Sequence, residues 1–159
     1  MPMKSAVPAP TPEYLKFLSP YGPRITGLAL AVRALVLQEA AGATELIYDA
    51  YNAVASGYSF TSRPSDAFIH IAVYARWVNL GFNHGAGFAD PQKLLQGAGR
   101  WIRHIRITDP TDLEMPAVRA FVKTAVADAE RPEAGVLATR GKSVVRAIYP
   151  KRRRPAPRL

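Results

Sequence analysis

Apolar side chains return every three or four positions between Ile25 and Val36, at Ile25, Leu28, Ala29, Val32, Leu35 and Val36. That spacing predicts an amphipathic helix, opened by Gly22-Pro23 and closed near Gly42, where a left-handed cap residue is expected. Ahead of it, Thr11-Pro12-Glu13 predicts a short helix stopping near Ser19-Pro20: the threonine caps, the proline needs no donor, and the glutamate favours the positive end. From Glu45 the period shortens to two. Leu46–Val54 and Tyr58–Ser62 predict a hairpin turning at Ala55-Ser56-Gly57. After a turn at Arg63-Pro64-Ser65-Asp66, residues 67–75 alternate, with Ile69, Ile71, Val73 and Ala75 on one side and Phe68, His70, Ala72 and Tyr74 on the other. Val78–Asn83 and Trp101–Ile107 predict two further strands, and Asp90-Pro91 a short helix between them that ends at Gly97. A last helix starts near Pro116, carries Val118, Phe121, Val122, Ala125 and Val126, and cannot pass Pro132.

These elements predict an α+β fold: a mainly antiparallel sheet of about five strands with helices packed on one face. Residues 1–11 are expected to be a disordered lead, 12–130 a single domain, and 131–159 a basic, disordered tail in which Val144–Tyr149 is a stray strand candidate. The uncovered sheet face would present Phe68, His70, Tyr74, His104 and Arg106.

Charge changes this picture at one end only. The formal net charge is +9, but residues 131–159 hold nine Lys/Arg against Glu133 alone, whereas 1–130 hold twelve against eleven acids. The basic character belongs to the tail, so contact with nucleic acid is expected only through Lys151, Arg152, Arg153 and Arg154. The chain has no cysteine, which excludes disulfides, thiol nucleophiles and Cys-ligated metals, and suits the cytoplasm. The apolar run at Leu28–Leu37 is short and broken by Arg33, so no membrane span is expected, and residues 1–12 lack the apolar core of a signal peptide.

The polar candidates are few. His104 and Arg106 share one face of a strand and suit an anion or carboxylate, while Arg103 points the other way and suits an ion pair with Glu45. His84 lies in the glycine-rich Gly81–Gly87 stretch, which matches neither common phosphate-binding glycine pattern. The three histidines stand on separate elements without metal-ligand spacing, and no cofactor is expected. An enzyme is the least supported class, because no nucleophile or acid–base pair follows from spacing. The residues expected to line a ligand site are His70, Tyr74, His104, Arg106, Glu45 and His84.

Asn79-Leu80-Gly81-Phe82-Asn83 with Gly85, then Asp90-Pro91, Leu95, Gly97, Gly99 and Arg103-His104-Ile105, resembles the bacterial YdhG-like domain family of unknown function. Upstream, Glu45, Tyr48-Asp49-Ala50-Tyr51-Asn52 and His70-Ile71-Ala72-Val73-Tyr74 fit the same pattern over about residues 20–130. The resemblance implies a frataxin-like arrangement in a divergent branch, and, through one branch described as an iron chaperone, a metal carrier as an alternative. Against that alternative, the first two helices offer only Glu13 and Glu39, with no acidic ridge for iron. The expectation is a small binding or interaction module with a ligand groove on the open sheet face and an unidentified small ligand or protein partner.

Overall fold

The structure, a computed structural model, describes residues 7–61, 63–132 and 142–150. It is α+β. Helix α1 (Pro12–Leu18) runs through a 3-10 turn into α2 (Gly22–Glu39), followed by strands β1 (Thr44–Asp49), β2 (Val54–Ser59), β3 (Ile69–Val73), β4 (Val78–Phe82) and β5 (Arg103–Ile107), helix α3 (Pro116–Asp128) and strand β6 (Ser143–Ile148). The sheet order is β5-β4-β3-β2-β1-β6, antiparallel throughout except where β6 joins β1 in parallel.

The helical signals act as their chemistry requires. The Tyr14 amide donates to the Thr11 hydroxyl at the start of α1, with Pro12 at the first helical position. Gly42 takes a positive φ just past α2, where an L side chain would be strained. The apolar stripe of α2 and Val118, Phe121, Val122 and Ala125 of α3 are buried with Ile69, Ile71, Val73, Leu80, Phe82 and Ile107 of the sheet in one core. Arg119 of α3 donates to Glu39 of α2 at 2.7 Å, joining the two helices at the surface.

Three sequence expectations need correction. The first hairpin turns at 50–53, closed by the Ala50 amide donating to the Ala53 carbonyl, and Ser56 and Gly57 lie inside β2. Small residues there sit within the strand rather than in a turn, and a Cβ on Gly57 would make an ordinary contact with the Ala67 Cβ at 3.5 Å. Residues 90–97 form no helix. The Asp90 carboxylate accepts from the Leu94 and Leu95 amides, and Lys93 adopts a positive φ that stops a helix from propagating. Finally, the strand candidate at Val144–Tyr149 does form, as 143–148, and it is no stray element but the sixth strand of the sheet, so this part of the expected disordered tail is ordered. Its period of two was weak because only Val145 packs on the core, while Val144 and Ile148 stay exposed. Residues 133–141 and 151–159, and with them Lys151–Arg154, lie outside the described residues.

Candidate functional site

The helices cover the sheet face carrying Ile69, Ile71 and Val73; the other face is built in rows by the strand register. One row runs Leu46–Gly57–His70–Gly81–His104, and the next Tyr48–Ala55–Ala72–Asn79–Arg106. Alternation therefore places His70, His104 and Arg106 on the same, open face.

Gly81 organises the first row. A Cβ there would overlap the His70 imidazole at three of its ring atoms, so the ring lies directly over the Gly81 backbone. His70 Nδ1 is 2.8 Å from the Asn83 side-chain oxygen. With that oxygen as acceptor, the neutral ring carries its proton on Nδ1. Burial lowers the His70 pKa below its usual value, opposed in part by the Asn83 bond. His104 is lowered as well, by burial first and then by the charges of His70 and Arg106.

Both rings take up protons more readily in the unfolded chain, so their contribution is complete above about pH 6.5 and is lost as pH falls toward the folded values. Urea midpoints are expected to drop between neutral pH and pH about 5, with His70→Gln flattening the dependence. An unchanged slope in that variant would assign the effect elsewhere.

Beside His70 the open face hollows into a groove of about 280 Å³. Its floor is the small side chains of β2, Ala55 and Gly57, with Leu46 and Tyr48 of β1 on one side and Pro64 and Ala67 on the rim. His70 and Asn83 form its polar end. The Asn83 NH2 makes no hydrogen bond among the described residues and remains a donor.

Tyr74 and Arg106 are near the groove's row but outside its lining. Tyr74 stacks on Trp77 with ring centres 5.3 Å apart, and the Arg106 guanidinium carbon lies 4.0 Å from the same indole. His84 is exposed and sits edge-on to Trp101 at 6.3 Å. Glu45 belongs to the other face, and its partner is Arg33 of α2 rather than Arg103. Arg33 Nε donates to the Glu45 carboxylate at 2.9 Å with both side chains almost fully buried, and Tyr58 Oη and Ser143 Oγ donate to it at 2.6 and 2.9 Å. Strands β1 and β5 are separated by three others, so Arg103 cannot reach Glu45; it donates to the Gly99 and Ile102 carbonyls instead. Burial and the Glu45 charge push the Tyr14 and Tyr58 phenols upward, which keeps both protonated, Tyr58 as a donor to Glu45.

The groove residues Leu46, Tyr48, Ala55, Gly57 and Asn83 escaped the sequence reading. The misplaced hairpin hid Ala55 and Gly57 by setting them in a turn; Leu46 and Tyr48 already alternate in the expected strand, but only the register with β2 and β3 brings them beside His70. Among the described residues no group of three His, Asp or Glu side chains is placed to hold a metal ion, and no helix is long and apolar enough to cross a membrane. No family model, no curated protein and no solved structure matches the chain.

Proposed function

We propose that the protein is a small binding module whose groove on the open sheet face takes a compact, largely apolar ligand carrying one hydrogen-bond acceptor. The observation that carries this reading is the meeting of an apolar groove with the His70–Asn83 pair at one end. Ligand sites are mostly apolar concavities with a few placed polar groups, and a volume of about 280 Å³ suits a single-ring ligand. His70 fixes the Asn83 amide, leaving its NH2 to donate to a carbonyl, and as a neutral ring His70 adds no charge that an apolar ligand would have to bury.

Benzamide, with toluene as the apolar control, tests this reading by amide chemical-shift mapping. Shifts are expected at Gly57, Ala67, His70 and Asn83. Ala55→Phe should fill the floor and abolish them, while Asn83→Ala should weaken benzamide about tenfold and leave toluene unchanged. Shifts scattered over other surfaces, or persisting in Ala55→Phe, would refute the assignment.

A further inference from the structure

We infer that the cavity where the segment ahead of α1, the end of α2 and the starts of β1 and β6 meet is a second binding site, one that takes a small zwitterion of the amino-acid class. Its polar wall is the Arg33–Glu45 pair. That pair lies on the helix-covered side of the sheet, so the cavity is separate from the groove on the open face.

The cavity measures about 320 Å³, room for a ligand of amino-acid size with a short side chain. Pro8 and Ala9 close it from the segment ahead of α1, and Leu37, Ala41 and Ala43 give it apolar walls at the end of α2. Arg33 Nη1 donates to the Pro8 carbonyl at 2.7 Å, which ties that segment down over the cavity. Arg33 Nε is spent on Glu45. Nη2 has no partner among the described residues, and it is not one of the fully enclosed atoms that lack one. With Arg33 only 3% exposed, the Nη2 N–H groups are reached from the cavity that this residue lines. On Glu45, Oε2 accepts from Arg33 and Tyr58, whereas Oε1 accepts from Ser143 Oγ alone at 2.9 Å and keeps a lone pair to spare. Donors from α2, β2 and β6 thus fix the carboxylate. Ser143 opens β6, so the site is complete only once β6 has joined the sheet.

Charge selects the ligand. Arg33 and Glu45 already neutralise each other, so a lone anion or cation would bring an uncompensated charge into a site that water screens little. A zwitterion brings none. Its carboxylate accepts from Arg33 Nη2 while its ammonium donates to Glu45 Oε1, and both contacts are charge-assisted, about twice as strong as neutral ones. Helix α2 ends beside the cavity with no basic residue in its last turn, and the partly negative end of a helix favours the ammonium as well. The walls formed by Leu37, Ala41 and Ala43 suit a short aliphatic side chain. A ligand role also explains why the pair is there: a buried ion pair seldom stabilises more than apolar residues of the same size, so stability alone does not call for one on a cavity wall.

The test is binding of L-valine to the full-length protein at neutral pH, followed by calorimetry and amide chemical-shift mapping. Isovalerate, which lacks the ammonium, and isobutylamine, which lacks the carboxylate, are the controls. Shifts are expected at Ala41, Gly42, Ala43 and Glu45, and not at Gly57 or Ala67 of the groove. Each control should bind at least about tenfold more weakly than valine. Arg33→Met with Glu45→Gln should weaken valine at least about tenfold at a denaturant midpoint close to the parent's. Ala41→Trp, at an exposed position on the rim, should block the cavity without touching the ion pair, and it decides alone if the double variant does not fold. Ala55→Phe fills only the groove and should leave valine binding intact, so the two sites stand or fall separately. The proposal is overturned if valine causes no shifts up to about 10 mM, if its shifts map to the groove, if either control matches valine, or if a folded cavity variant binds like the parent.

Discussion

Glu45→Ala is expected to lower the unfolding free energy by about 3–5 kcal/mol, because it leaves the Arg33 guanidinium buried without its counter-charge. The loss should appear as a lower denaturant midpoint at nearly constant slope. The magnitude follows from burial: the side chains of Arg33 and Glu45 are 4% and 3% exposed, so solvent screens the pair little. Glu45 also receives Tyr58 Oη and Ser143 Oγ, and those donors are stranded too. Arg33→Met with Glu45→Gln removes both charges but keeps an oxygen to accept from Tyr58, and should recover most of the loss, since a buried ion pair barely outweighs its desolvation. A cost below about 1 kcal/mol for Glu45→Ala would mean that water reaches the pair in solution.

Gly81→Ala should destabilise by about 1–3 kcal/mol through overpacking against His70. Its backbone is not the cause, for Gly81 is absent from the positions with positive φ and an L residue fits its conformation. The cost should therefore vanish in a His70→Ala background, where alanine at 81 regains the entropy that glycine loses in a strand. An equal cost in both backgrounds would place the constraint in the β3–β4–β5 backbone instead. Together with the pH dependence, this cycle tells whether the ring lies over Gly81 in solution.

The sequence was legible where one local signal had one structural meaning. The α2 stripe, the Thr11 cap, the alternation around Ile69–Val73 and the placement of His104 and Arg106 on one face were all readable from spacing alone. It misled where one residue type serves two purposes. Ser56 and Gly57 look like turn formers, yet both lie inside β2, Ser56 within hydrogen-bond distance of Tyr58 on the covered face and Gly57 next to Ala67 on the open one; Asp90-Pro91 looks like a helix start, yet its carboxylate closes a loop. Long-range partners were not legible at all. Nothing near Glu45 announces Arg33 and Ser143 together, and Gly81 does not reveal that it makes room for His70, because strand order and register are decided by packing across the whole sheet. Most of the fold and the open face were therefore accessible from the sequence, whereas the groove required the correct hairpin.

Strand β6 has a consequence for association. It converts β1 from an edge into an interior strand and takes the exposed ladder upon itself, with the Glu45 amide bonded to the Lys142 carbonyl and the Tyr149 amide to Asp49. The new edge is interrupted by a register shift beside Ile47 and Tyr48 and carries the exposed side chains of Lys142 and Arg146. Irregular, like-charged edges resist the addition of another chain's strand. Among the described residues, Lys142 and Arg146 thus set positive charge along the outermost strand, where a second copy of the same strand would meet like charge.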